Sequence, residues 1–92
     1  MTNQKSFPNQ HESDITKDSE SRNLILHNDD VNTFDHVISS LIAECNHESH
    51  QAEQCALIAH TKGKCDIMDG TYAELNPVRI SLLNKGLNVT ID

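Results

Sequence analysis

Residues 24–45 run LILHNDDVNTFDHVISSLIAEC, and this stretch decides the fold. Residues 24–27 are an apolar run that predicts a short strand, and residues 28–30 form a turn because their side-chain oxygens satisfy nearby backbone donors. Apolar side chains then recur every three or four residues, which is typical of a helix with one buried face; they are Phe34, Val37, Ile38, Leu41, Ile42 and Cys45. We expect Asn32 to cap this helix.

A second helix is predicted from a cap at Ser49 to about Lys62, where Gly63 ends it. The apolar positions of this helix recur at helical spacing and are all small, which allows close packing or leaves a recess; they are Ala52, Cys55, Ala56 and Ala59. Residues 64–69 then predict a second strand, closed by a turn at residues 69–70.

The start of the third helix depends on Pro77, which would cost about 3 kcal/mol inside a helix. We therefore expect a brief turn over residues 72–75 and a helix over residues 77–85 with Asn76 as its cap. Gly86 ends this helix. Leu87, Val89 and Ile91 then alternate with polar residues, which predicts a final strand with one buried face.

These elements predict an α+β fold with the order β-α-α-β-α-β. We expect a small three-stranded antiparallel sheet with the helices packed mainly on one face. Residues 23–92 form the predicted core domain. Residues 1–22 hold only three large apolar side chains, so we expect a flexible extension that serves either solubility or contact with a partner.

Charge and composition exclude several classes of function. The net charge of −7 and the three aromatic residues argue against binding to nucleic acid or anionic lipid and suit an amine ligand better. The longest apolar run covers residues 55–59, too short for a membrane span, and the first twenty residues lack a secretory signal, so we expect a cytoplasmic protein. The cysteines are odd in number and are expected to be reduced; they are Cys45, Cys55 and Cys65.

The candidate binding chemistry combines polar acceptors with a recess. Helical spacing places Ala56, Ala59 and His60 on one face of the second helix, and Phe34 and Val37 share a face of the first. If these faces meet near the loop, they enclose a hollow for one apolar side chain beside a cationic amine, whose three donors need oxygens or an imidazole nitrogen. The suitable acceptors are Asn28, Asp29, Asp30 and His60. Alternatively, residues 28–30 are only a turn and His60 only contacts the last carbonyls of its helix.

Catalytic and metal chemistry have weaker support. The chain has no Gly-rich phosphate loop and no nucleophile elbow, and Cys55 and His60 lie about 140° apart around one helix. A zinc site built from Cys45, His47 and His50 with His60 and Cys65 matches no Cys-x-x-Cys pair. We therefore predict neither an enzyme nor a metal or other cofactor, and we expect His36, His47 and His50 to be exposed.

Residues 24–30, with Phe34 and Val37 and then residues 54–64, resemble the ClpS adaptor family, and the resemblance covers residues 23–92. It implies a non-enzymatic adaptor that captures proteins bearing a destabilising N-terminal residue, such as Leu, Phe, Tyr or Trp. The implied partner is the N-terminal domain of a Clp AAA+ unfoldase of the ClpA or ClpC type, and we expect the adaptor to be a monomer.

The resemblance also implies roles for particular residues. Asn28, Asp29, Asp30 and His60 would hold the α-amino group. The side-chain pocket would comprise Asn32, Phe34, Val37, Ala56, Ala59 and Leu87. Glu74 and Arg79 match positions that face the unfoldase.

The sequence departs from the family pattern around the pocket. Ala56 stands where Met is common, Ala59 where Val is common, Phe34 where Met often occurs and Asn32 where Thr is usual. The sequence therefore leaves open which N-terminal residue of a substrate the pocket binds most tightly. A second interpretation also stays open: a general interaction domain of similar topology, like the C-terminal domain of the ribosomal stalk protein, which docks a partner through a helix face.

Overall fold

The computed structural model describes residues 19–92, so most of the predicted extension, residues 1–18, lies outside the described part. Within residues 19–92 the chain forms three strands and three helices, which confirms the predicted α+β class and element order. In chain order the elements are β1 (Arg22–His27), α1 (Phe34–Cys45), α2 (Ser49–Lys62), β2 (Lys64–Gly70), α3 (Tyr72–Asn84) and β3 (Val89–Ile91).

The sheet places β1 at its centre, with β2 and β3 antiparallel on either side. Leu24 lies opposite Met68 and Ile91, and Leu26 lies opposite Cys65 and Val89. Both leucines join one buried cluster with side chains from all three helices, so the helices cover this face of the sheet. Ile25 projects to the opposite face of the sheet and is also buried, at 6 % exposure, so the run at residues 24–26 is apolar on both faces.

Both predicted caps at the first two helices are shifted by one residue. Thr33, not Asn32, caps α1, and its Oγ1 accepts a hydrogen bond from the His36 amide at 3.1 Å. Glu48 occupies the cap position of α2 without a side-chain cap, and Ser49 is the first helical residue. The end of α2 is as predicted: Gly63 adopts a left-handed conformation, with φ of 98°, and its amide donates to the Ala59 carbonyl.

The third helix is continuous from Tyr72, so the predicted turn followed by a helix from Pro77 is wrong. Thr71 and Glu74 form a reciprocal capping box, with the Glu74 amide 3.2 Å from Thr71 Oγ1 and the Thr71 amide 2.9 Å from Glu74 Oε1. Leu75 and Leu82 are fully buried on either side of the proline. The capping box and the burial of Leu75, which contributes about 1.5–3 kcal/mol, together offset the cost of about 3 kcal/mol for one proline inside the helix.

The cysteines carry free thiols, as expected: Cys45 and Cys55 are buried and Cys65 is half-buried. Burial raises the pKa of Cys45 to about 11. Burial and a hydrogen bond with Cys55 raise the pKa of Cys65 to about 12. Both thiols are therefore protonated at neutral pH and behave as small packing groups.

His47 is buried, at 7 % exposure, which contradicts the expectation that it is exposed. Its Nε2 donates to the Ile67 carbonyl at 2.6 Å, so the loop between α1 and α2 is held against β2. Residues 19–92 contain no group of three histidine, cysteine or acidic side chains placed to hold a metal ion. None of the helices in the same segment is long and apolar enough to cross a membrane.

Candidate functional site

A hollow of about 260 Å³ lies where the end of β1 and its following loop meet the start of α1 and the last turns of α2. Its lining combines apolar side chains from the strand and both helices with polar side chains from the loop and two histidines, one at the end of β1 and one on α2. The lining residues are Leu26, His27, Asn28, Asp29, Asp30, Asn32, Phe34, Val37, Ala56, Ala59 and His60.

The structure brings together nearly all of the residues that were predicted from the sequence to bind a ligand. The four nominated for an amine, Asn28, Asp29, Asp30 and His60, all line the hollow. Of the six nominated for the side-chain pocket, only Leu87 is not among the lining residues; it is buried in the core cluster.

Two lining residues, Leu26 and His27, were not nominated. They directly precede the polar loop in sequence, so their position at the end of the strand could have predicted that they line the hollow. The Nε2 of His27 lies 2.7 Å from Thr90 Oγ1, which ties this end of β1 to β3.

The loop is braced by the Asp29 carboxylate. Asp29 Oδ1 accepts hydrogen bonds from the amides of Val31 and Asn32, both at 2.9 Å, and the Asn32 side-chain amide donates to Oδ2 at 3.0 Å. The backbone hydrogen bond from Asn32, followed by those from the Val31 amide and the Asn32 side chain, lowers the pKa of Asp29 against the opposing effect of burial. Asp29 therefore carries its negative charge at neutral pH in a fixed orientation.

Asn32 also connects the loop to a distant turn. Its Nδ2 donates to the Gly86 carbonyl at 2.9 Å, and Gly86 takes the left-handed conformation, with φ of 88°, that follows α3. One turn further along α1, His36 Nε2 donates to the Lys85 carbonyl at 2.7 Å. The lip of the hollow is thus held to the C-terminal end of α3 by two side chains.

Two aromatic rings face each other at the hollow. Phe34, at the start of α1, and His60, in the last turn of α2, have ring centroids 5.4 Å apart and planes at 86°. Phe34 is 43 % exposed. Neither ring nitrogen of His60 hydrogen-bonds to another described residue, so the imidazole is available to a ligand.

The end of α2 supplies the apolar wall. Ala56 and Ala59 lie three residues apart on one face of the helix and are both buried. The Asn28 amide donates to the Gly63 carbonyl at 2.9 Å, which fixes the polar loop beside the end of this helix. Acceptors and apolar wall are therefore adjacent, as a site for an amine next to an apolar side chain requires.

The two residues nominated for an unfoldase contact lie elsewhere, on α3. Glu74 forms the capping box, and the Arg79 guanidinium donates to Asn76 Oδ1 from Nε at 3.0 Å and Nη2 at 2.8 Å. Arg79 lines a shallow groove with Tyr72, Thr90 and Ile91. This groove shares no lining residue with the hollow.

Comparison with known proteins gives one family. The family model described as ATP-dependent Clp protease adaptor protein ClpS matches residues 17–90. Among solved structures, the chain is similar to Agrobacterium tumefaciens ClpS2 bound to L-phenylalaninamide, with a TM-score of 0.68 and 16 % identity over 80 % of this chain and 96 % of that chain. At that identity the structural likeness concerns the fold. No curated protein matches the chain.

The Asp29 brace predicts a pH-dependent contribution to stability. Because its folded pKa lies below the ordinary value of 3.8, Asp29 stabilises the fold above that pH and loses the contribution as the pH falls through the folded value. Asp29→Asn keeps an oxygen for both amides but has no charge to lose. In urea denaturation, we expect this variant to have a smaller free energy of unfolding than wild type at pH 7. The difference between the two free energies should be smaller at pH 3.

Asp29→Ala is the matched control, because it removes the acceptor as well as the charge. It should be less stable than Asp29→Asn at pH 7 by roughly 1–2 kcal/mol. A wild-type advantage over Asp29→Asn that stays constant from pH 7 to pH 3 would contradict an ionic role for the brace.

Proposed function

The chain belongs to the ClpS family of ATP-dependent Clp protease adaptor proteins, and on that premise we propose that it is an adaptor for N-degrons. It captures proteins through a free α-amino group and a bulky apolar first side chain. It then delivers them to a Clp AAA+ unfoldase of the ClpA or ClpC type in the cytoplasm, without catalysing a reaction itself.

The observation that carries this proposal is the position of four polar acceptors on one apolar hollow. An α-ammonium group has three donors and no acceptor, so it needs several oxygens or a neutral imidazole nitrogen within one small space. Asn28, Asp29 and Asp30 come from the loop and His60 from the end of α2, and all four line the same hollow. An apolar side chain on the same residue would lie against Ala56 and Ala59.

The hydrogen bonds already present in the loop assign the acceptors. Asp29 Oδ1 already accepts from two backbone amides, so Oδ2 has more remaining capacity for an ammonium proton. The side chain of Asn28 and the imidazole of His60 supply the other two contacts in this proposal. The structural relative from Agrobacterium was solved with L-phenylalaninamide, a free amine next to a benzyl group, which is the ligand chemistry proposed here.

The expected energetics suit capture and release. Burying one large apolar side chain contributes about 1.5–3 kcal/mol, and each charge-assisted hydrogen bond adds roughly 1.5–3 kcal/mol. One side chain and three such hydrogen bonds supply at most about 12 kcal/mol, and an association cost of at least about 4 kcal/mol leaves a limit near the micromolar range, about −8 kcal/mol. Such an affinity allows the substrate to be released to an unfoldase.

We place the unfoldase contact on α3, through Glu74 and Arg79. Arg79 is oriented by Asn76 at the edge of the groove that Tyr72 shares, and this groove is separate from the hollow. A substrate and an unfoldase could then be bound at the same time. The extension before β1 is the second element proposed to engage the unfoldase.

The amine contact predicts a strong effect of N-terminal blocking. A Phe-leading peptide with a free amine should bind at least tenfold more tightly than its N-acetylated twin in fluorescence anisotropy, because acetylation removes the charge and two donors. Equal affinities would refute the proposed function and favour a docking domain that does not recognise an N-terminus.

The proposed role of His60 as an acceptor predicts a loss of affinity when the acceptor is removed. His60→Gln keeps an acceptor oxygen and should retain more affinity for the free-amine peptide in fluorescence anisotropy than His60→Leu, which has no acceptor. Equal affinities of the two variants would remove His60 from direct contact with the amine.

A further inference from the structure

The wall of the hollow is formed by unusually small side chains. Ala56 and Ala59 are 4 % and 3 % exposed, and the space in front of them belongs to the hollow of about 260 Å³. Because alanine side chains reach little into the hollow, a compact leucine side chain makes fewer dispersion contacts along this wall than a longer side chain does. A larger, flat side chain can extend across both alanines and restore those contacts.

The rim of the same hollow is aromatic. Phe34 is 43 % exposed and stands perpendicular to His60, with 5.4 Å between the ring centroids. Aromatic rings prefer such edge-to-face or offset arrangements, and a third ring that enters the hollow would extend this cluster while burying the exposed part of Phe34. An aliphatic side chain that enters the hollow also buries the exposed part of Phe34, but it cannot form an edge-to-face contact with the ring.

We infer that the hollow selects large aromatic first residues, Trp and Phe ahead of Leu, Ile and Val, and that Ala56 and Phe34 are the residues that set this preference. This inference rests on the proposed function and names the substrate class of the same site. Ala56 acts by leaving room for the ring, and Phe34 acts by contacting it.

The test is a panel of free-amine peptides that differ only in the first residue, measured on the full chain by fluorescence anisotropy. Trp- and Phe-leading peptides should bind about tenfold more tightly than the Leu-leading peptide, and Ile and Val should bind more weakly still. If Leu binds as tightly as Trp while acetylation still abolishes binding, the inference is overturned and the proposed function stands. If no free-amine peptide binds, both fail.

Two variants test the assigned residues separately. Ala56→Met fills the space in front of α2 and should reduce the advantage of Trp over Leu at least threefold, whereas Leu57→Met, one residue along on the exposed face, should not change it. Phe34→Leu alters an exposed position and should reduce the same ratio severalfold, even if the variant at Ala56 proves unstable. A Trp to Leu ratio that is unchanged in both Ala56→Met and Phe34→Leu would overturn the assignment.

Discussion

The hydrogen bond from the Asn28 amide to the Gly63 carbonyl, at 2.9 Å, is the contact on which the geometry of the site depends. It joins the residue that follows the central strand to the residue that ends α2. Gly63 can offer this carbonyl because its left-handed conformation turns the chain at the helix end. The contact extends the pairing of β1 and β2, in which His27 lies opposite Lys64, by one residue, and so holds the polar loop beside the end of α2 that carries His60.

The second constraint is the preorganisation of the loop. Asp29 holds the amides of Val31 and Asn32, and Asn32 in turn holds the Gly86 carbonyl. Ordering a flexible loop on binding would reduce the affinity, so hydrogen bonds formed in advance leave more of the interaction energy for the ligand. The same bonds keep the negative charge of Asp29 at the rim, where an ammonium group would approach.

The apolar side of the hollow shows how a thin core and a binding site share one helix. Ala59 belongs to the core cluster and also lines the hollow, while Cys55 packs inward and Ala56 faces the hollow. A small domain buries a modest fraction of its surface, so it has few helices to spare for a separate binding layer. The small side chains of α2 serve close packing on one side and ligand space on the other.

Local patterns predicted the parts of the structure that local chemistry controls. The periodicity of residues 34–45, the glycine at 63 and the apolar run at residues 24–26 each determined an element correctly. The acceptor residues were nominated from their side-chain chemistry and from the family resemblance, and the fold then brought them to one hollow. The sequence did not predict which N-terminal side chain the hollow prefers, because this preference depends on the space left between the helices.

The errors have a common physical cause, which is contact between residues distant in sequence. Asn32 does not cap α1 because its side chain is committed to Asp29 and to Gly86, which lies 54 residues away. His47 is buried because the Ile67 carbonyl accepts its Nε2 proton. Pro77 is tolerated inside a helix that starts at Tyr72 because Leu75, on the preceding turn, is fully buried in the core cluster.

The structure is interpreted here as one hollow that holds both the amine and the apolar side chain of a ligand. A titration of the ¹⁵N-labelled chain with L-phenylalaninamide, followed by NMR, tests this directly. We expect saturable shifts that follow one dissociation constant for the backbone amides of Asn28, Asp30, Ala56, Ala59 and His60. Shifts confined to the groove of Tyr72 and Arg79, or different constants for the loop and for α2, would contradict it.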